Sequence, residues 1–355
     1  MRRWTPLLLL GVVGCDNAVA PRDPTGPPPN LTVAQVTDLG TLPQGANVVG
    51  RDGGYSTEFQ GQSVWLYSDT FLSKPNALGR TLISDSWAWT TDLNAFQQLD
   101  DTTGDPAMFL PETPAETQFN QAHRNTDGQR WALWLAAIVP DTARDRALIF
   151  YSVVHAAPGN FNFYSTGVSV ATWAGFGQTP VRPAGLLFDQ DEPGFGAAAL
   201  IDSGVLYVYG CGTSSSSKPC PLGRVDPANV LDRSAWTYYA GGGQWSASVG
   251  DAVSVFSGDD ILNVSWNAYL GEYVAIYSEP ISDDVMIRTA PRPEGPWSGE
   301  RRMFTARAPA GGGWIYDALG HPEFNVGGGK TMYVSYSRAT GTFASEVRLV
   351  AIEFH

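Results

Sequence analysis

The chain has 355 residues, 43% of them hydrophobic and only 16% charged, so it can bury a large core and is not a disordered segment. Its 39 Gly, 25 Pro, 12 Trp, 14 Tyr and 16 Phe suit strands joined by tight turns rather than helices, in which Gly and Pro cost most. A formal charge of −13 repels phosphate backbones and argues against non-specific nucleic-acid binding.

The N-terminus reads as an address. Arg2 and Arg3 precede the apolar run Leu7 to Val13, too short to span a bilayer but suited to a secretory signal. Val12-Val13-Gly14-Cys15 resembles a bacterial lipobox, which makes 1–14 a lipoprotein signal peptide and Cys15 the lipidation site. Residues 15–30 carry Pro21, Pro24, Pro27, Pro28 and Pro29 and read as a semi-rigid tether, with the folded part at 31–355. The expectation is an exported protein, lipid-anchored in the bacterial cell envelope and touching the membrane only through that anchor. Cys211 and Cys220 flank a Ser-rich loop that a disulfide would close in an oxidising compartment. No CxxC pair is present and the four His are scattered, so the sequence carries no zinc signature and names no cofactor.

One short pattern recurs through the folded part. A strand ends in Tyr plus a small residue at Tyr67-Ser68, Tyr151-Ser152, Tyr209-Gly210, Tyr277-Ser278 and Tyr336-Ser337. A turn precedes each copy, and all but Arg144-Asp145-Arg146 contain Gly. Five three- or four-stranded antiparallel units, with no convincing helix between them, fit radial repetition better than two packed sandwiches. The fold class read from this is all-β, a five-bladed β-propeller. Its blades are placed at 41–110, 118–180, 181–241, 244–308 and 312–355, the last completed by a strand at Leu31 to Leu39.

In such a ring the innermost strands converge on a central funnel. Taking Gln60-Gly61 as the turn of the first hairpin, an unbulged ladder sets Asp52 opposite Asp69, with Cβ atoms about 5 Å apart. Two carboxylates that close repel, so one keeps its proton to a higher pH, which serves acid–base chemistry. The other reading of Asp52 and Asp69 is that each caps a local turn. A turn centred on Gly271 puts Glu279 opposite Asn263. Arg338 follows Tyr336-Ser337, and Gly320-His321-Pro322-Glu323 reads as the start of the last inner strand. Carboxylates, one His and one Arg suit sugar hydroxyls, and Trp131 or Trp134 could stack on a ring face or pack in the core. Gly327-Gly328-Gly329-Lys330-Thr331 lacks the first Gly and the helix of a phosphate loop, and the acidic run from Asp189 to Glu192 lacks the Gly and distal Glu of a calcium loop.

Arg51-Asp52-Gly53-Gly54, the run from Trp65 to Thr70, the run from Asn267 to Tyr273, Arg288-Thr289-Ala290, Glu294-Gly295-Pro296-Trp297 and His321-Pro322 together resemble a bacterial propeller family. It is the one filed as domain of unknown function 4185, some of whose members are endo-D-arabinanases, and it neighbours the furanosidase-type five-bladed glycoside hydrolases. The resemblance implies hydrolysis of a furanoside linkage; the partner expected for the funnel is a furanose-containing polysaccharide or oligosaccharide, and the chain is expected to be a monomer. The resemblance makes Asp52 and Asp69 the acid–base pair, with Glu279 and Glu323 as candidates for a third carboxylate. The funnel positions themselves, apart from the resemblance, add Arg51, Trp131, Asn263, His321, Glu323 and Arg338 as candidate substrate-binding residues. The ending Tyr67-Ser68-Asp69 departs from the aromatic-Gly-Asp frequent in the family. A glycan- or protein-binding module without catalysis is the alternative.

Overall fold

A computed structural model describes residues 31–94, 106–124, 126–158, 162–212 and 218–355. Aromatic and β-branched runs form its strands, and residues at positive φ make the turns between them. Gln60-Gly61 (φ 52° and 79°) and Ser203-Gly204 (φ 50° and 80°) give two-residue turns matched to strand twist. The repeat copy without Gly meets the same need with Asp145, whose left-handed φ of 48° an Asp side chain tolerates.

The chain opens with β1 (Val33–Thr41). Blade one contains β2 (Val48–Phe59), β3 (Gln62–Leu72), β4 (Leu82–Ile83) and β5 (Ser86–Thr90); blade two contains β6 (Arg130–Asp141), β7 (Arg146–Ala156), β8 (Phe163–Trp173) and β9 (Phe188–Asp189). Blade three holds β10 (Phe195–Asp202), β11 (Val205–Gly210), β12 (Lys218–Val225), β13 (Thr237–Gly241), β14 (Gln244–Ser246) and β15 (Ser254–Gly258). Blade four holds β16 (Leu262–Asn267), β17 (Glu272–Ser278), β18 (Asp284–Ala290) and β19 (Arg301–Thr305). Blade five is β20 (Ile315–Gly320), β21 (Thr331–Gly341) and β22 (Ala344–Phe354), with β1 pairing antiparallel to β22 as its outer strand. The innermost strands β2, β6, β10, β16 and β20 each touch the next, and β20 returns to β2, so the five antiparallel sheets close a β-propeller.

The repeated Tyr is a packing device. Tyr67, Tyr151, Tyr209, Tyr277 and Tyr336 are all fully buried. Their polar ends find local partners: the Tyr209 hydroxyl donates to the Pro293 carbonyl at 2.7 Å, and that of Tyr336 accepts from the Arg307 N–H at 3.1 Å. Inward strand faces fill the axis so completely that the cavity between β2, β6, β10 and β16 holds only about 20 Å³, room for roughly one water. A ligand site on the axis therefore sits at an end of the ring and not through it.

Three expectations need correcting. A helix, α1 (Pro114–His123), precedes blade two, nucleated by a capping box in which Thr113 Oγ1 accepts from the Glu116 N–H and Glu116 accepts from the Thr113 N–H. The segment from Gln244 to Gly258 belongs to the third sheet and not the fourth, because β15 pairs with β12. The last inner strand is Ile315–Gly320, so His321-Pro322-Glu323 follows its end and does not begin it.

Candidate active site at one end of the ring

Inner strands run the same way around a propeller, so their first residues meet at one end. Blade one brings Asp52 there. Between Arg51↔Thr70 and Gly53↔Tyr67 the ladder gives one residue on β2 for two on β3, so Asp52 faces the Ser68-Asp69 pair, and a second irregularity follows at Gly54. The hairpin is thus bulged, not regular. Gly53 and Gly54 take φ of 85° and 118°, angles an L side chain rarely adopts, and the bulge re-aims the strand.

Neither Asp caps a turn of its own hairpin; each meets a neighbouring blade. Asp52 Oδ1 accepts from the Tyr316 hydroxyl at 2.5 Å. Asp69 Oδ2 accepts from Arg130 Nη2 at 2.6 Å, and its Oδ1 from Trp134 Nε1 at 3.0 Å. Burial pushes the Asp52 carboxyl up to about 6; the Tyr316 hydrogen bond opposes the rise and the nearby charge of Asp69 adds to it. Tyr316 itself is raised, chiefly by burial and then by Asp52, so it remains a donor. The two carboxylates are therefore unlike: one sits in a poorly solvated, acidic pocket, the other lies in a fork of two donors.

More acid surrounds them. Asp317 accepts from the Gly53 N–H at 2.9 Å, occupies a left-handed φ of 55°, and is held well above the usual carboxylate range by burial and by Asp52. Asp259, pushed up to about 7 by burial and by Asp260, shares Lys218 with Asp260, whose contact to Lys218 is 2.5 Å. Tyr55 stands among these charges with its hydroxyl on the Ala197 carbonyl at 2.9 Å. Among the described residues no group of three or more His, Cys, Asp or Glu is arranged to hold a metal ion.

The remaining expected site residues scatter. Arg51 is buried, its guanidinium 3.7 Å from the centre of the Tyr67 ring, so it packs blade one and does not face a ligand. Arg338 is engaged by Glu346 and by the carbonyls of Arg307 and Ala308. Asn263 pairs with Ile276, not Glu279, because the connecting loop is 268–271 and its centre lies before Gly271; the Asn263 side chain lines the small axial cavity. Glu279 follows the end of β17, half-buried, with its N–H on the Asp284 carbonyl.

His321 and Glu323 lie further down the ring. His321 stacks on Trp65 with centroids 4.1 Å apart, and its ring nitrogens meet Ser56 Oγ at 2.6 Å and Ser335 Oγ at 2.7 Å. Burial lowers it to about 3, so it is a neutral core imidazole. Glu323, raised by burial, accepts from Ser56 at 2.5 Å and Ser63 at 2.9 Å. Ser56 is four residues along β2 from Asp52, roughly 13 Å, so this buried knot joins blades one and five away from the carboxylate pair. Trp131 lines a separate cleft beside blade two. Cys211 and Cys220 are joined by a disulfide; Cys15 lies outside the described residues.

Sequence reasoning missed Tyr316, Asp317, Arg130, Asp259, Asp260 and Lys218. The signal was available: Asp52 and Asp317 stand within the first five residues of two inner strands and Asp259-Asp260 just before the start of a third, and aligning those starts brings them together.

The propeller fold is shared with solved glycoside hydrolases. The chain belongs to the family described as Domain of unknown function (DUF4185), whose profile matches residues 39–341. No curated protein matches it. Among solved structures it is similar to a family 117 glycoside hydrolase from the marine bacterium Zobellia galactanivorans, at 10% identity and a TM-score of 0.56, covering 91% of this chain and 92% of that one. It is also similar to a GH43_1 enzyme from Xanthomonas citri (12%, TM-score 0.54, 90% and 91% covered). A third is the alpha-L-arabinofuranosidase of Podospora anserina solved with cellotriose (12%, TM-score 0.52, 92% and 99% covered). At such identities the likeness is one of fold.

Proposed function

We propose that this chain is a glycoside hydrolase of the bacterial cell envelope that cleaves furanoside linkages, with Asp52 and Asp69 as its catalytic pair. The observation carrying the reading is the asymmetry of the pair. Asp52, raised to about 6 and touching Tyr316, holds a proton in mildly acidic medium, while Asp69 is paired with Arg130 and accepts from Trp134. Asp52 gives its proton to the glycosidic oxygen as the bond from that oxygen to the anomeric carbon breaks. Asp69 then meets the developing positive charge, as nucleophile if configuration is retained or as base for an attacking water if it is inverted. Tyr316, donating to Asp52 now, can orient it. Exposed aromatic faces at Trp314 and Phe163, the latter edge-on to Trp134 at 4.7 Å, offer platforms for sugar rings. The solved relative named as an arabinofuranosidase supports a furanoside as the first substrate to try.

The lipobox-like run ending in Cys15 supports export and lipid anchoring, which metabolic labelling with a fatty acid, lost in Cys15→Ser, would test. For catalysis the test is incubation with linear arabinans and furanosyl oligosaccharides. Release of reducing ends by the wild type, reduced at least 10³-fold in Asp52→Asn and in Asp69→Asn, supports the hydrolase. Binding without release by all three proteins would instead make the chain a glycan-binding module.

A further inference from the structure

The chemistry just proposed leaves one neighbouring feature unused. Between the outer part of blade one and the entry to blade two lies a cleft of about 210 Å³. Arg80, Glu112, Asn120, Arg124, Arg130 and Trp131 line it. Its charges are not balanced. Arg80 is neutralised by a two-pronged pair with Glu112, at 2.6 and 2.8 Å. Arg130 gives one nitrogen, Nη2, to Asp69. Arg124 meets no carboxylate among the described residues; its Nη1 is held by the carbonyls of Leu78 and Gly79 at 2.9 and 3.0 Å. Carbonyls orient a guanidinium but leave its charge standing, so among the described residues this cation is held in place and unneutralised, in a chain whose net charge is −13.

The cleft is built and not incidental. Asn120, on α1, clamps the entry to β6 by accepting from the Trp131 N–H at 2.7 Å and donating to its carbonyl at 2.9 Å, while its amide also reaches Glu112 at 3.0 Å. The helix is thereby locked to the strand that carries Arg130. Arg130 in turn belongs to both places, lining the cleft while it holds Asp69.

We infer that this cleft is a subsite for an anionic group on the glycan, a uronate carboxylate or a sugar phosphate, gripped by Arg124 and the remaining nitrogens of Arg130 with the sugar ring against Trp131. Guanidinium forks match both oxyanions, and a neutral sugar gains less from an unneutralised cation. The inference rests on reading this end of the ring as a hydrolase site, and it names that site's substrate as an acidic polysaccharide whose charged residue sits beside the bond being cut.

The test is calorimetric titration of the whole protein with three probes: trigalacturonate, D-arabinose 5-phosphate and neutral arabinotriose. The expected result is that at least one anion binds, that its Kd rises about tenfold in Arg124→Gln and much less in Arg124→Lys, and that the gap closes in high salt. Neutral arabinotriose should bind both proteins alike, and cleavage of neutral arabinan should be unchanged in Arg124→Gln. Whether carboxylate or phosphate binds more tightly identifies the source of the anion. Equal anion affinity in wild type and Arg124→Gln, or no binding of either anion, overturns the inference. Failure to cleave any arabinan with Arg124-dependent anion binding intact would sink the hydrolase reading and leave the anion site standing.

Discussion

Asp52 is a residue whose usefulness and whose cost have one origin. Its ordinary value near 3.8 rises to about 6 because burial penalises its charge. Between those values the folded protein keeps a proton that the unfolded chain has already lost, so the stability Asp52 permits is complete below 3.8 and is lost as pH rises through 6. At 1.36 kcal/mol per unit the loss is about 2–3 kcal/mol at pH 8. Asp52→Asn should therefore abolish hydrolysis while raising the melting temperature at pH 8 and leaving it nearly unchanged at pH 4. A melting curve lowered equally at both pH values would show that the carboxylate is not strained. Since the acid form is the reactive one, kcat/KM should fall above a pH of about 6. His321 behaves oppositely. Lowered to about 3 by burial, it cannot take up the proton that the unfolded chain binds below 6.5, so stability drains as pH falls from 6.5 toward 3. Glu323, raised and sharing Ser56 with it, works the other way, so the His term is best isolated by comparison. His321→Gln should flatten the acid limb of stability against pH by about one proton, which is about 1.4 kcal/mol per pH unit.

Elements differ in how far their sequences betray them. The Tyr-plus-small word marks the second strand of every blade because each ring must bury the same aromatic, and five copies of one packing demand are visible as a repeat. Registers were less visible. The loop at 268–271 shifts its hairpin off Gly271, which is why Asn263 lost Glu279 as a partner, and two bulges in the first hairpin bring Asp52 near Asp69 by compensation. Nothing in strand propensity counts loop residues or predicts a bulge. Blade five differs because His321-Pro322 reads like a strand start, whereas the run from Trp314 to Asp317, directly after Gly311-Gly312-Gly313, carries the better signal. Helix α1 was legible and overlooked: Thr113-Pro114-Ala115-Glu116 spells a capping box with Pro at the first helical position. That box positions the anion cleft. Thr113→Ala should cost about 1 kcal/mol and, if α1 frays, weaken anion binding before it alters cleavage of a neutral chain, which parallel melting and titration would show.

At the scale of the whole molecule the candidate site is a product of ring closure. Asp52 draws Tyr316 and Asp317 from blade five, and Asp69 draws Arg130 and Trp134 from blade two. Blades five and one are joined along the chain only through β1, which zips onto β22 and is pinned by Asp38 to Arg348 at 2.6 and 2.7 Å, and then leads directly into β2. Across the same seam the Arg51 N–H donates to Ser345 Oγ at 2.9 Å, and Gly50 lies so close that a Cβ there would come within 2.5 Å of the Ser345 nitrogen. Opening this seam removes from Asp52 the neighbours that help desolvate it. Deletion of residues 31–41 should therefore lower the melting temperature by more than 10 °C, since it strips a nine-residue strand and a partly buried ion pair from the last sheet. The milder Asp38→Ala keeps the strand and loses only the pin. In whichever variant still folds, the pH above which kcat/KM declines should move from about 6 toward the 3.8 of an unperturbed Asp as water reaches Asp52. Burial is the largest cause of its raised value, and the lost Tyr316 hydrogen bond, which lowers it, offsets only part of the change. A loosened ring with that decline still near 6 would mean that Asp52 owes its raised value to blade one alone, and that closure serves stability and not the site.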